Sequence, residues 1–142
     1  MAGTGDARDL IQLVVFVRFV INDKDRDSGQ RQGLFQAAKA LRDAGVLSAK
    51  DHDRLEDIRG WFNEHLERPA RLSLSSRANR KAQAISWFRD TATEHITKMR
   101  EFQEVLERYG LSVQMIKAKR LGYIRYEDEF QVVAYPFSDT PT

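Results

Sequence analysis

The chain has 142 residues, with 23 Lys and Arg against 21 Asp and Glu, 42% hydrophobic residues and no cysteine. That composition supports one apolar core and excludes wholesale disorder, disulfide staples and thiolate metal sites, and the length fits a single domain. A formal net charge of only +2 argues against a broad electrostatic footprint for nucleic acid.

The ends, residues 1–6 and 138–142, read as flexible, leaving residues 7–137 as the domain. Absence of cysteine suits a reducing compartment, so the expected location is the cytoplasm. The longest apolar run, residues 10–21 (LIQLVVFVRFVI), spans twelve residues. A membrane-spanning helix needs about 20, so the run is assigned to the fold and no membrane is expected. Ile11, Leu13, Val15, Val17, Phe19 and Ile21 share one parity, whereas Gln12 and Arg18 fall on the other. With its β-branched and aromatic content, this alternation predicts a central strand buried on one face and partly covered on the other. A buried helix is the alternative at this length.

Residues 22–29 (NDKDRDSG) read as a solvated loop. Leu34, Phe35, Ala38 and Leu41 then recur at helical spacing, with Gly45 as the C-terminal cap. Ser48, three residues before Asp51, caps a second helix whose stripe is Leu55, Ile58, Phe62 and Leu66, stopped by Pro69. This helical hairpin must bury its stripe, and the sheet is the expected partner. A strand over residues 82–88 follows. The next helix is expected to be capped by Asp90 or by Thr91 with Glu94, to carry Ala92, Ile96, Met99, Leu106 and Tyr109 as its stripe, widened by Phe102 and Val105, and to end at Gly110. Residues 111–119 read as a strand, and residues 122–137 as a hairpin around Glu127, Asp128 and Glu129. The expected fold is therefore a single α+β domain with a mixed sheet, in the order β-α-α-β-α-β-β-β.

The stretches AISWFRDTATEHITKMREFQEVLERYG and GYIRYEDEFQVVAYPF, with GLFQAAKALRDAG and WFNEHL upstream, resemble a group of small bacterial proteins sharing this layout over nearly the whole chain. The resemblance implies a bacterial origin and a self-contained domain. It implies no activity.

Three adjacent acids, Glu127, Asp128 and Glu129, invite a cation or nuclease reading. In extended backbone their side chains alternate in direction, so at most two converge, and a polar turn of three to five residues is the expectation. His52, His65 and His95 are assigned to three different helices without an i, i+4 pair, so no metal is expected. His95 lies beside Glu94 and near Ser86 and Trp87, which opens a Ser-His-acid reading, although no nucleophile elbow is present. No phosphate-binding glycine loop occurs, and no cofactor is expected.

The remaining feature is basic. Between residues 68 and 89, Arg68, Arg71, Arg77, Arg80, Lys81 and Arg89 occur with no intervening acid, with Trp87 and Phe88 close behind. Arg71, Arg77, Arg80, Lys81, Trp87 and Arg89 are the candidate binding residues, through phosphate contacts and stacking or through a protein partner. Lys117, Lys119, Arg120 and Arg125 could extend that patch. The bland alternative is a solvated loop, or one lying on the acids Asp53, Glu56, Asp57 and Glu64. The leading expectation is a small cytosolic binding or interaction protein without catalytic activity, whose partner is a protein or a second copy of itself. A nucleic-acid-binding accessory protein comes second, and an enzyme using His95 with an acid third.

Overall fold

The computed structural model describes residues 14–26, 28–68 and 84–142. Among these residues, nine elements follow in chain order: β1 (Phe16–Lys24), β2 (Arg31–Gly33), α1 (Leu34–Asp43), α2 (Ala49–His65), β3 (Ile85–Arg89), α3 (Thr93–Glu107), β4 (Val113–Ala118), β5 (Tyr123–Glu127) and β6 (Gln131–Tyr135). Apart from the three-residue β2, this is the expected order, and the architecture is α+β.

From Phe16 to Ile21 the apolar run is a strand, as its parity requires. Val17, Phe19 and Ile21 are buried, and Phe19 and Ile21 face the helices in the main core with Leu55, Ile58, Phe62, Met99, Phe102 and Leu106. Residues 10–13 of the run lie outside the described residues. At its far end the strand continues to Lys24, beyond the expected start of the loop. The reason is an unexpected hairpin: Lys24 pairs with Arg31 and Val20 with Gly33, and the Asp25 N–H bonds the Gln30 carbonyl at 2.8 Å. Cross-strand pairing thus supplies backbone partners to residues whose composition alone suggests a loop.

The sheet runs β2-β1-β3-β6-β5, with β4 also on β1. Since β4 pairs along Phe16 to Ile21, β3 and β2 share the other edge of β1, at residues 16–17 and 20–24 respectively. Every pairing is antiparallel, where a mixed sheet was expected. The physical reason is that β3 and β4, joined through α3, run parallel to each other but receive β1 between them. Their common direction therefore never appears in a hydrogen-bonded pair.

Both helix boundaries read at the first hairpin hold. Gly45 takes φ +71°, its N–H bonds the Arg42 carbonyl and the Val46 N–H reaches the Leu41 carbonyl, the Schellman arrangement that glycine permits. Ser48 caps α2 by accepting the Asp51 N–H at 3.1 Å. The cap expected for α3 is not made. Ala92 is the N-cap, without any side-chain bond: the Asp90 N–H still extends the β1–β3 ladder to the Val15 carbonyl, and the chain leaves that ladder through a turn before α3 starts.

The opposite face of the sheet carries a second cluster of Ile85, Trp87, Leu121, Val132 and Ala134. Residues 138–142, suggested to be loose by composition, make defined contacts. The Thr140 hydroxyl accepts the Phe137 N–H at 3.0 Å, and the Thr142 carbonyl accepts the Arg31 N–H at 2.9 Å.

Candidate functional site

Where α2 ends, α3 begins and the β5–β6 hairpin turns, the three elements enclose an open cleft of about 1160 Å³. From α2 come Arg59, Glu64 and His65, followed by Glu67 and Arg68; from the start of α3 come Thr91, Glu94 and His95; from the turn come Asp128, Glu129 and Phe130. Among the described lining residues, the five carboxylates of Glu64, Glu67, Glu94, Asp128 and Glu129 outnumber the two arginines. Arg59 is further engaged by Glu56 at 3.1 Å. The described lining is therefore acidic.

Gln131, the first residue of β6, fixes the turn against the chain leaving α2. It is fully buried, its amide donates to the Glu67 carbonyl at 2.7 Å and its carbonyl oxygen accepts the Ser86 hydroxyl at 3.0 Å. Asp128 organises the turn itself. One carboxylate oxygen accepts the Phe130 and Gln131 N–H groups at 2.9 and 3.0 Å, and the other accepts the Tyr126 hydroxyl at 2.8 Å and the Gln131 amide at 3.1 Å. Burial pushes the Asp128 pKa up, but these four donors outweigh it and hold the carboxyl below its ordinary value. The connection between β5 and β6 is a three-residue turn, Asp128 to Phe130, of the expected length, while Glu127 ends β5; the central acid of the knot is a structural group.

His95 is 3% exposed. Its Nε2 lies 2.8 Å from the His65 carbonyl oxygen, and because a carbonyl only accepts, the proton belongs on Nε2. Nδ1 is buried without a partner. The ring sits among aromatic side chains, with centroids 4.3 Å from Phe130, 4.8 Å from Trp61 and 6.0 Å from Phe62. The Ser-His-acid grouping considered from the sequence does not form, since the Ser86 hydroxyl serves Gln131. The assignment of the histidines to three helices is also corrected. His52 and His65 share α2, one uninterrupted helix. Among the described residues, no group of three or more His, Asp and Glu is arranged to hold a metal.

Of the candidate binding residues, Arg71, Arg77, Arg80 and Lys81 lie outside the described residues. Trp87 is completely buried, so the expectation that it stacks on a base is corrected: no ring face is open. The parity that makes β3 a strand turns Trp87 toward the second cluster, with Ile85. Arg89 is held by the hairpin, donating to the Asp128 carbonyl and to Glu127, each at 2.8 Å. Nor do Lys117 and Arg125 join one patch, because β4 and β5 are opposite edges of the sheet, about 19 Å apart at normal strand spacing.

Phe130, Gln131 and Glu67 were not singled out as site residues in the sequence. The available signal was Asp128 followed by two residues whose N–H groups it can bond, an Asx pattern. Nothing local points to Glu67, whose carbonyl meets Gln131 across 64 positions.

No protein-family model, curated protein or solved structure matches the chain. The likeness to small bacterial proteins gains no support from these comparisons. Among the described residues, no helix is long and apolar enough to cross a membrane.

Proposed function

We propose that this protein is a non-catalytic binding module of the bacterial cytoplasm that takes a Lys/Arg-bearing segment of a partner protein in the acidic cleft. The observation that carries this reading is that the two groups a catalytic alternative needs are both committed to the fold. His95 is sealed among aromatic rings, and both oxygens of Asp128 are occupied by donors. An inaccessible imidazole is a poor general base, and a saturated carboxylate a poor nucleophile or metal ligand. What the cleft offers to solvent is a surplus of carboxylates, which attracts cations and repels phosphate.

The test is fluorescence anisotropy with a short Lys/Arg-rich peptide, its Asp/Glu-rich counterpart and poly-dT. The basic peptide is expected to bind, with affinity falling as salt rises, and Glu64→Lys combined with Glu129→Lys should abolish it. Poly-dT binding that is weakened by joint Arg77→Ala, Arg80→Ala and Lys81→Ala, with the logarithmic salt slope reduced by about 2.1, overturns the proposal in favour of a nucleic-acid-binding protein.

A further inference from the structure

A second concavity, of about 350 Å³, lies between α1 and α2. Its apolar lining is Phe35, Ala38, Leu47 and Leu55. Ala38 and Leu55 belong to the buried stripes of their helices, and the small side chain at position 38 leaves a slot that a larger residue would fill. Phe35 forms one wall. Its ring is 37% exposed yet held edge-on by Phe62 at 5.5 Å and Phe102 at 5.1 Å, so the apolar surface is presented without freedom to collapse.

The charges around this slot are opposite to those of the acidic cleft. Among the described lining residues, Lys39, Arg42 and Arg59 stand against one acid, Glu56. Lys39 and Arg42 share Asp43, at 2.8 and 3.7 Å, but these pairs are exposed, and pairs of this kind contribute little. A ligand carboxylate can therefore replace Asp43 at small cost. The volume is at the lower end for small-molecule pockets, and a slot between two helices accepts a flexible chain more readily than a flat ring system.

We infer that the groove between α1 and α2 binds a single-chain carboxylate amphiphile, with its alkyl chain along Phe35, Ala38 and Leu55 and its carboxylate at Lys39 and Arg42. Ala38 and Leu55 are already buried and shape the slot, so affinity comes from removing the chain and the accessible parts of Phe35 and Leu47 from water. The basic rim supplies the choice of headgroup sign.

Isothermal titration calorimetry with decanoate, octanoate, 1-decanol and decyltrimethylammonium, each kept below its aggregation threshold, tests this inference. Decanoate should bind at one site, and octanoate up to about fifteenfold more weakly, for two methylenes fewer. Decyltrimethylammonium should not bind. Ala38→Leu, which fills the slot, should remove decanoate binding; Arg42→Glu, an exposed change that spares the core, should weaken it and lessen the preference over 1-decanol. The inference is overturned if decanoate does not bind, if decyltrimethylammonium binds as well, or if Arg42→Glu changes nothing. It is equally overturned if the protein self-associates and Phe35→Lys abolishes that, since a second copy then covers the groove.

Discussion

His95 Nε2 donates a 2.8 Å hydrogen bond to the carbonyl oxygen of His65, so an imidazole from the first turn of α3 closes the C-terminal end of α2. The last carbonyls of a helix have no partner within it, and here one of them is satisfied by a side chain that also fills an aromatic pocket. His95→Leu retains much of the packing but leaves that carbonyl unpaired, and should cost about 1–3 kcal/mol in urea denaturation. His95→Gln, which keeps a donor, should recover part of the loss. Equal destabilisation by both would assign the whole effect to packing.

Asp128→Ala removes the acceptor for four donors and should cost about 1–3 kcal/mol, with the hairpin amides of Phe130 and Gln131 exchanging faster with deuterium. The folded-state pKa of Asp128 is lowered, so its contribution is fully present above the unfolded value of about 3.9 and is lost as pH falls through the lower folded value. Asp51 acts in the same direction and window. The hydrogen bond from Tyr109, and then that from Arg108, lower its pKa and tie the start of α2 to the end of α3. The acid-induced loss of stability across that window should flatten when Asp128 and Asp51 are both replaced by Asn.

Gly122 has φ +126°, and a Cβ there would collide with the backbone carbonyl oxygen of Tyr135. Neither strain nor clash can be relieved by a side-chain rotation. Gly122→Ala should therefore cost about 2 kcal/mol or more and lower the thermal midpoint, whereas Gly60→Ala, which has open space around it and lies within a helix, should be neutral or stabilising.

The two tryptophans should separate in fluorescence. Trp87 is fully buried, while Trp61 is partly exposed and stacked on His65 at 4.3 Å. Trp61→Phe should leave blue-shifted emission that acrylamide hardly quenches, and Trp87→Phe should leave quenchable emission. A basic peptide entering the acidic cleft should perturb only Trp61. Strong quenching of the Trp87 signal would reopen that ring as a stacking surface.

Patterns carried by residues close in sequence determined much of this protein. The odd-parity apolar face made residues 16–21 a strand, Gly45 and Ser48 bounded the first helical hairpin, Gly110 ended α3 and Asp128 marked a turn, because backbone period and capping are short-range properties. Only the tertiary structure decided what depends on which backbone edges meet. The β1–β2 pairing turned part of a charged loop into strand, the β1–β3 ladder ran on to Asp90 so that α3 starts from Ala92, and the insertion of β1 between β3 and β4 made the sheet wholly antiparallel. The acidic cleft belongs to the same class. His95 meets His65 across 30 positions and Gln131 meets Glu67 across 64, and side chains so far apart acquire a common environment only when packing brings their elements together, which no local spacing encodes.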